Sequence, residues 1–197
     1  MSIVGKQAPA WSGPAALHGD IVQLSSESLK GKWYVLFFYP LDFTFVCPTE
    51  IVGYDNAYAK FQEAGVEVIG CSVDSVHTHL AYTRTARKDA GVGDLSFPLL
   101  ADLNKAIMTA FDVADAAGDK ALRATFIVDP NGNVQSATIN NLGIGRNIEE
   151  TLRLVKAAQF SAEHGEVCPA NWKDGQKGMK ASLDGVKGVI GKGRKAK

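Results

Sequence analysis

The amino-acid sequence predicts an α/β protein: a mixed central sheet flanked by helices, with an N-terminal extension and a C-terminal arm. The run Trp33–Phe38 is wholly apolar, as a central strand buried on both faces requires. Strand-like and helix-like stretches then alternate along the chain. Later, Pro130-Asn131-Gly132-Asn133 separates two further strands and is a strong turn signal, which adds a hairpin and makes the sheet mixed.

The predicted elements follow in chain order. Residues 1–31 are punctuated by Gly and Pro, with strand-like pieces at 15–17 and 21–24, so we expect a cover over one sheet edge. The other predicted elements are strand 32–39, helix 47–64, strand 66–73, helix 76–90, a short segment 98–100, helix 104–111, strands 124–129 and 134–140, and helix 148–163. We expect a main domain over 1–165 and a C-terminal arm over 166–197, which ends in a basic flexible tail.

Charge is balanced overall but unevenly distributed. The chain has 21 basic and 21 acidic residues, which argues against a general polyanion-binding surface. From Asn171 onward, eight basic residues accompany only Asp174 and Asp184, so this segment carries +6 and the remainder −6. A solvated terminus and a contact with acidic partners both fit this pattern. The tail has no aromatic residue beyond Trp172, so we expect no specific nucleic-acid binding.

Apolar runs and cysteine spacing indicate the cellular compartment of the protein. The N-terminal residues lack a long apolar region, and no run has the length of a membrane span, so we expect neither secretion nor a membrane. Three widely spaced cysteines do not form the framework of a secreted disulfide-rich protein. We therefore expect a cytoplasmic protein with reactive thiols.

Cys47 is placed where the central strand has ended and a helix begins. Ile51, Tyr54 and Phe61 are spaced for one face of that helix. The helix dipole and unpaired backbone N–H groups at its N-terminus favour a thiolate, and Pro48 suits the first turn. A free cysteine has a pKa near 8.5, so only about 3% of it is thiolate at pH 7 without such help. The sequence thus predicts a nucleophile.

The order and spacing of these residues resemble the active-site signature of the peroxiredoxins. The matching stretch is Pro40-x-x-x-Thr44-x-x-Cys47, followed by Pro48-Thr49-Glu50. The segment Gly165-Glu166-Val167-Cys168-Pro169-Ala170-Asn171-Trp172 is similar to the resolving-cysteine segment of the typical 2-Cys branch. Residues 123–129 and Gly145-Arg146 also match. Over about Val4 to Trp172, the resemblance is closest to the peroxidase component of bacterial alkyl hydroperoxide reductase.

The resemblance implies a thioredoxin-like fold and a thiol peroxidase that acts on hydrogen peroxide and organic hydroperoxides. Cys47 would attack the terminal peroxide oxygen and become a sulfenic acid. Thr44 would place its hydroxyl near that sulfur, Pro40 would shield it from water, and Arg123 would support the thiolate and the breaking O–O bond. The supporting residues that the resemblance implies are Tyr39, Glu50 and Arg146. No metal and no cofactor are expected.

The resemblance also implies the rest of the catalytic cycle. Cys168, which the irregular segment around it indicates to be a mobile second thiol, would condense with the Cys47 sulfenic acid to a disulfide. The family implies that this Cys168 belongs to the partner subunit of a homodimer, although the residues leave an intramolecular bridge equally open. The expected partners are peroxide substrates, thioredoxin or a flavoprotein disulfide reductase as electron donor, and further copies of the chain that close dimers into a decameric ring.

Several interpretations compete with or refine this one. Cys71 lies in a predicted core strand, so we expect it to pack rather than react. His77 and His79 near it lack the further ligands of a tetrahedral metal site. A ring-shaped holdase for unfolded chains and a cysteine hydrolase are alternative functions, but no histidine is placed convincingly for hydrolysis. The family usually has tryptophan where this chain has Tyr82.

Two further expectations concern oxidation. Disulfide formation requires residues 45–50 to unwind, because the Cys47 sulfur is shielded at the start of a helix. Over-oxidation-sensitive peroxiredoxins resemble one another in a Gly-Gly-Leu-Gly loop and a C-terminal Tyr-Phe pair. This chain has Ala90-Gly91-Val92-Gly93 and no Tyr-Phe after Trp172, so we expect Cys47 to resist conversion to a sulfinic acid.

Overall fold

Seven strands form one mixed sheet in a computed structural model that describes residues 2–191. The strands are β1 (Ser12–Leu17), β2 (Asp20–Ser25), β3 (Trp33–Phe38), β4 (Val66–Ser72), β5 (Leu99–Ala101), β6 (Arg123–Val128) and β7 (Val134–Asn140). Their order across the sheet is β2-β1-β5-β4-β3-β6-β7. β3 pairs with β4 and β4 with β5 in parallel, whereas the remaining pairings are antiparallel. The predicted mixed sheet is confirmed.

Five α-helices accompany the sheet in the described residues. They are α1 (Cys47–Glu63), α2 (Val76–Arg84), α3 (Ala106–Ala110), α4 (Ile148–His164) and α5 (Leu183–Ile190). Short 3-10 turns occur at Ser26–Leu29 and Arg87–Asp89. None of the helices described between residues 2 and 191 is long and apolar enough to cross a membrane.

The central strand β3 is buried on both faces, as its apolar run predicts. Leu36 and Phe38 join a large apolar cluster on one face that also contains Phe111 and Phe126. On the other face, the ring of Phe37 stacks on that of Tyr54 in α1 with centroids 4.2 Å apart. Burial of aromatic side chains of this size on both faces fixes β3 at the centre of the core.

The sheet's register decides where the polar residues of the chain meet. β3 and β6 are antiparallel, with Phe37 opposite Thr125, so the first residue of β6, Arg123, lies beside the end of β3. β7 returns to the same end of the sheet, because Asn140 pairs with Arg123. The loop after β3, the start of α1 and the segment after β7 therefore converge at the same end of the sheet, where β3 and β7 finish and β6 begins.

Three predicted elements need correction. Residues 12–25 form two full strands of the sheet rather than a cover, and β1 pairs with β5. The helix predicted over 76–90 ends at Arg84, because Thr85 is extended and the chain folds back so closely that a side chain at Gly91 would meet the Thr85 carbonyl. The chain also forms α5 where a flexible tail was predicted, since the Ser182 side chain caps the helix by accepting from the Gly185 N–H.

The chain divides into two compact units, Met1–Ile148 and Glu149–Lys197. The first contains the whole sheet with α1, α2 and α3. The second contains almost all of α4, the segment with Cys168, and α5. The arm predicted to begin at residue 166 is thus grouped with the helix that precedes it. The last residues of the predicted basic tail, 192–197, lie outside the described part of the chain.

Candidate active site

Cys47 is the first residue of α1, and its side chain is completely buried. The residue before it, Val46, offers no side-chain cap, so the first backbone N–H groups of α1 have no side-chain acceptor from that residue. The helix dipole therefore places partial positive charge at the sulfur. This position, between the loop after β3 and the first helical turn, is the one that the sequence predicts.

Arg123 is the hydrogen-bond partner of Cys47. Its Nη1 donates to the Cys47 Sγ at 3.4 Å and to Glu50 Oε2 at 2.7 Å, while its Nε donates to the Leu142 carbonyl at 2.7 Å. Burial lowers the pKa of the Arg123 guanidinium, but the hydrogen bond to Cys47 and the charges of Glu50 and Cys47 outweigh burial and raise it. The guanidinium therefore remains charged and places its positive charge against the sulfur.

Glu50 joins two arginines beneath the sulfur. Its carboxylate also accepts from the Arg146 Nη2 at 3.0 Å and from the Arg146 backbone N–H at 2.9 Å. The Arg146 Nη1 donates to the carbonyls of Phe38 and Ala124, at 2.6 and 2.8 Å. Two cations and one carboxylate leave a net positive charge beside Cys47. The side chains of this cluster come from α1, β6 and the segment after β7, which meet here because of the strand register.

Thr44 and Pro40 lie in the loop between β3 and α1. Pro40 is buried directly after the strand, and Thr44 is half-buried. The Thr44 hydroxyl donates to the Leu41 carbonyl at 2.8 Å, and no hydrogen bond between Thr44 and Cys47 occurs among residues 2–191. Phe43 has a φ of 52°, a left-handed conformation that is uncommon for a bulky residue. The loop therefore holds Thr44 through its own backbone.

Tyr39 is buried and contacts a group of residues that sequence analysis missed. Its hydroxyl donates to Asp42 Oδ1 at 2.8 Å, and Asp42 Oδ2 lies 2.7 Å from His79 Nδ1. Burial raises the pKa of the Asp42 carboxyl, and the hydrogen bond and charge of His79 offset part of that rise. The Asp42 N–H donates to Asp74 Oδ2 at 2.9 Å. These bonds anchor the loop that ends at Cys47 to α2 and to the end of β4.

Two signals in the sequence could have identified this group. Asp42 lies inside the motif itself, and His79 occupies a buried position of α2 together with Val76, Leu80 and Thr83. A histidine at helical spacing with core residues requires a polar partner, because an unpaired buried polar group is costly.

The other two cysteines lie elsewhere. Cys71 is buried in β4, where burial and the charge of Asp102 raise the pKa of its thiol well above the usual value. Cys168 belongs to the second unit and is half-buried; its Sγ donates to the Ala157 carbonyl at 3.5 Å. Burial raises the pKa of the Cys168 thiol, although Arg153 opposes that rise. Within residues 2–191, no group of three or more His, Cys, Asp or Glu side chains could hold a metal ion.

Comparisons with known proteins match most of the chain. The model of the AhpC/TSA family matches residues 4–137, and that of the C-terminal domain of 1-Cys peroxiredoxin matches residues 157–192. A thioredoxin peroxidase of Trypanosoma brucei rhodesiense is 52% identical over 168 residues, which is 85% of this chain and 84% of that protein. Other curated relatives are peroxiredoxins of Caenorhabditis elegans, Drosophila melanogaster, Rattus norvegicus and Hordeum vulgare.

Solved structures of similar proteins have the same fold. The reduced 2-Cys peroxiredoxin of Plasmodium vivax has a TM-score of 0.93 and 41% identity, covering 97% of this chain and all 100% of that chain. The AhpC of Enterococcus faecalis has a TM-score of 0.80 and 41% identity, covering 86% of this chain and 100% of that chain. The predicted thioredoxin-like α/β fold is confirmed.

Proposed function

The chain belongs to the AhpC/TSA family as a typical 2-Cys peroxiredoxin, a thiol peroxidase that reduces peroxide through cysteine, and we propose that Cys47 is its peroxidatic residue. The observation that carries the proposal is the 3.4 Å contact between Arg123 Nη1 and the Cys47 Sγ at the N-terminus of α1. Cys71 lacks such a cation and is buried in β4, where the raised pKa of its thiol disfavours the nucleophilic form.

The first step is attack by the Cys47 thiolate on the terminal oxygen of ROOH. A sulfur–oxygen bond forms and the O–O bond breaks, so sulfur becomes a sulfenic acid while the alkoxide RO⁻ leaves and takes a proton from water. The guanidinium of Arg123 stabilises the charge that moves from sulfur to the leaving oxygen. Because the Thr44 hydroxyl hydrogen is engaged by the Leu41 carbonyl, its oxygen accepts the hydrogen bond from the peroxide O–H. Pro40 shields the sulfur.

Glu50, Arg146 and Tyr39 support this site without touching the substrate. Glu50 fixes the orientation of the Arg123 guanidinium, because its Oε2 accepts hydrogen bonds from both Arg123 and Arg146. Arg146 ties Glu50 to the carbonyl of Phe38 at the end of β3. Tyr39 holds the loop between β3 and α1 through Asp42. A guanidinium suits these positions because it offers several donors in a fixed plane and remains charged.

Cys168 completes the reaction as the resolving residue. Its sulfur attacks the Cys47 sulfenic sulfur, a disulfide forms, and the departing hydroxide combines with the Cys168 proton as water. We propose that this Cys168 comes from the partner subunit of a homodimer and that dimers assemble into a decameric ring. An external dithiol then reduces the disulfide; similarity to a protein named thioredoxin peroxidase supports thioredoxin as the donor, with a flavoprotein disulfide reductase as the alternative.

The family assignment does not extend to a narrower group. The sequence motifs favour the peroxidase component of bacterial alkyl hydroperoxide reductase, but the curated relatives named above come from eukaryotes. The Plasmodium vivax and Enterococcus faecalis structures are both 41% identical to this chain. We therefore place the chain among the typical 2-Cys peroxiredoxins as a whole. The cytoplasm, where thiols stay reduced, suits this chemistry and is its proposed location.

Peroxide consumption with thioredoxin and its reductase tests the assignments. The wild type and Cys71→Ser, the matched control, should turn over, whereas Cys47→Ser should show no turnover. Cys168→Ser should undergo a single oxidation without a disulfide. Sustained turnover by Cys47→Ser would exclude it as the peroxidatic residue.

A non-reducing gel tests the proposed bridge between subunits. After one equivalent of peroxide, the wild type should migrate as a covalent dimer and Cys168→Ser as a monomer. A disulfide found only within single chains would contradict the intersubunit bridge. Analytical ultracentrifugation of the reduced protein should give the mass of a decamer, and a smaller assembly would contradict the proposed ring.

A further inference from the structure

One side of α4 holds the segment that contains Cys168. The α4 residues that contact this segment are Arg153, Lys156, Ala157 and Phe160, and we call them the α4 latch. Their spacing of three, four and seven residues places them on a single helical face. The described contacts between this face and residues 168–174 all lie within the second compact unit.

The α4 latch contacts the segment in four places. Cys168 Sγ donates to the Ala157 carbonyl at 3.5 Å, Arg153 Nη1 donates to the Trp172 carbonyl at 3.0 Å, Lys156 Nζ lies 2.5 Å from Asp174 Oδ2, and the Phe160 and Trp172 rings have centroids 5.1 Å apart. Trp172 is only 2% exposed. The thiol of Cys168 is therefore directed at a helix backbone while its neighbours anchor it there.

Arg153 differs from Lys156 in how firmly it is fixed. Glu150 accepts from the Arg153 Nε at 2.6 Å and from its Nη2 at 2.7 Å, a two-point pairing that orients the guanidinium plane. Nη1 is then left to hold the Trp172 carbonyl. The Lys156–Asp174 pair is a single contact in which Asp174 is largely exposed, and such pairs contribute little. Of these two residues, Arg153 is thus the firmer polar restraint on the segment.

We propose that Arg153 is a positioning residue for the resolving step: it keeps the Cys168 segment docked on α4 and thereby sets how fast Cys168 is released to attack. The proposal rests on the assignment of Cys168 as the resolving cysteine. The Cys168 Sγ cannot form a bond to the sulfenic sulfur while it donates to the Ala157 carbonyl, so the α4 latch must open first. After opening, the thiolate displaces hydroxide from sulfur, and hydroxide and the thiol proton leave as water.

The Arg153 guanidinium acts on Cys168 in two ways that can be separated: it docks the segment through a hydrogen bond, and its charge affects the pKa of the thiol. Arg153 opposes the burial that raises the pKa of the Cys168 thiol. Removing the positive charge should therefore move the pH dependence of resolution upward. Arg153→Lys keeps the positive charge but loses the planar set of donors. It should therefore change how fast the Cys168 segment leaves α4 without changing the pH dependence of disulfide formation.

Rapid quenching followed by mass spectrometry tests the proposal by timing disulfide formation after one equivalent of peroxide. Arg153→Gln and Arg153→Lys should both form the disulfide about fivefold faster than wild type at high pH, the factor that one hydrogen bond of ordinary strength represents. The pH midpoint of resolution should rise in Arg153→Gln only. Oxidation of Cys47 itself should be unchanged. Lys173→Gln, which removes an exposed charge beside Trp172, is the matched control and should behave as wild type.

Two results would overturn the proposal. Unchanged or slower disulfide formation in both Arg153 variants would show that the α4 latch does not restrain Cys168. An equal acceleration in Lys173→Gln would show that net charge, not the Arg153 fork, is responsible. A disulfide that still forms in Cys168→Ser would instead remove the resolving assignment itself, so failure of the proposed function is distinguishable from failure of this inference.

Discussion

Replacing Arg123 by lysine should slow oxidation of Cys47 about 10²-fold while leaving the protein folded. The lysine keeps a positive charge but cannot donate at once to Cys47, Glu50 and the Leu142 carbonyl, as the guanidinium does. The substitution therefore removes a rigid hydrogen-bond donor that faces the developing negative charge, although a positive charge remains nearby.

The magnitude follows from the geometry. For unit charges 3.4 Å apart, with an effective dielectric constant of about 20, Coulomb's law gives about 5 kcal/mol. Glu50, 2.7 Å from the same nitrogen, offsets part of this attraction, and the lysine ammonium recovers another part. Loss of one preorganised donor from a developing charge typically costs about 3 kcal/mol, which corresponds to the predicted factor of about 10².

Stopped-flow oxidation in a Cys168→Ser background isolates this first step. The measured quantity is the second-order rate constant for hydrogen peroxide, and circular dichroism checks the fold. Arg84→Lys is the matched control, because Arg84 is exposed and donates to the Gly19 carbonyl away from the site. If Arg123→Lys reacts as fast as Arg84→Lys, the guanidinium geometry has no part in catalysis and the proposed mechanism is refuted.

Three further predictions concern the oxidised protein. Because burial raises the pKa of the Cys168 thiol, with Arg153 opposing it, the thiolate increases as pH rises towards that pKa. Disulfide formation should therefore accelerate in rapid-quench experiments at increasing pH, and a flat profile would contradict thiolate attack. Hydrogen exchange should show that amides of residues 45–50 lose protection in the disulfide form; equal protection would exclude the predicted unwinding. Rising peroxide should produce little Cys47 sulfinic acid by peptide mass, whereas rapid inactivation at low peroxide would refute that resistance.

The central strand and the position of Cys47 could be predicted because their signals are local. An apolar run identifies β3, and helical spacing from Ile51 to Phe61 identifies α1. The junction between these elements follows directly. Arg123 was assigned by resemblance alone, since its contact with Cys47 joins residues 76 positions apart and depends on the antiparallel register of β3 and β6.

The histidine at core spacing in α2 signals that it has a polar partner, but the identity of that partner, Asp42, could not be predicted for the same reason. The contact between Asp42 and His79 spans 37 positions and requires α2 to pack beside the loop between β3 and α1. The predicted position of the Thr44 hydroxyl near the sulfur also depended on a loop conformation that no periodic pattern encodes. In the structure the Thr44 hydroxyl donates to the Leu41 carbonyl.

Composition misled the prediction at the C-terminal end. Glycine and lysine indicated a flexible tail, yet α5 forms over Leu183–Ile190 because Ser182 caps it and four apolar residues recur at helical spacing. The helix is short, and glycine lowers helix propensity, so its periodic signal was weak against the composition.

Chemical trapping of the first oxidation product measures the central claim most directly. Cys168→Ser treated with one equivalent of peroxide and then dimedone, which reacts with sulfenic acids, should carry a single adduct on the Cys47 peptide by mass spectrometry. An adduct on the Cys71 peptide, or none while peroxide is consumed, would show that a different group takes the peroxide oxygen.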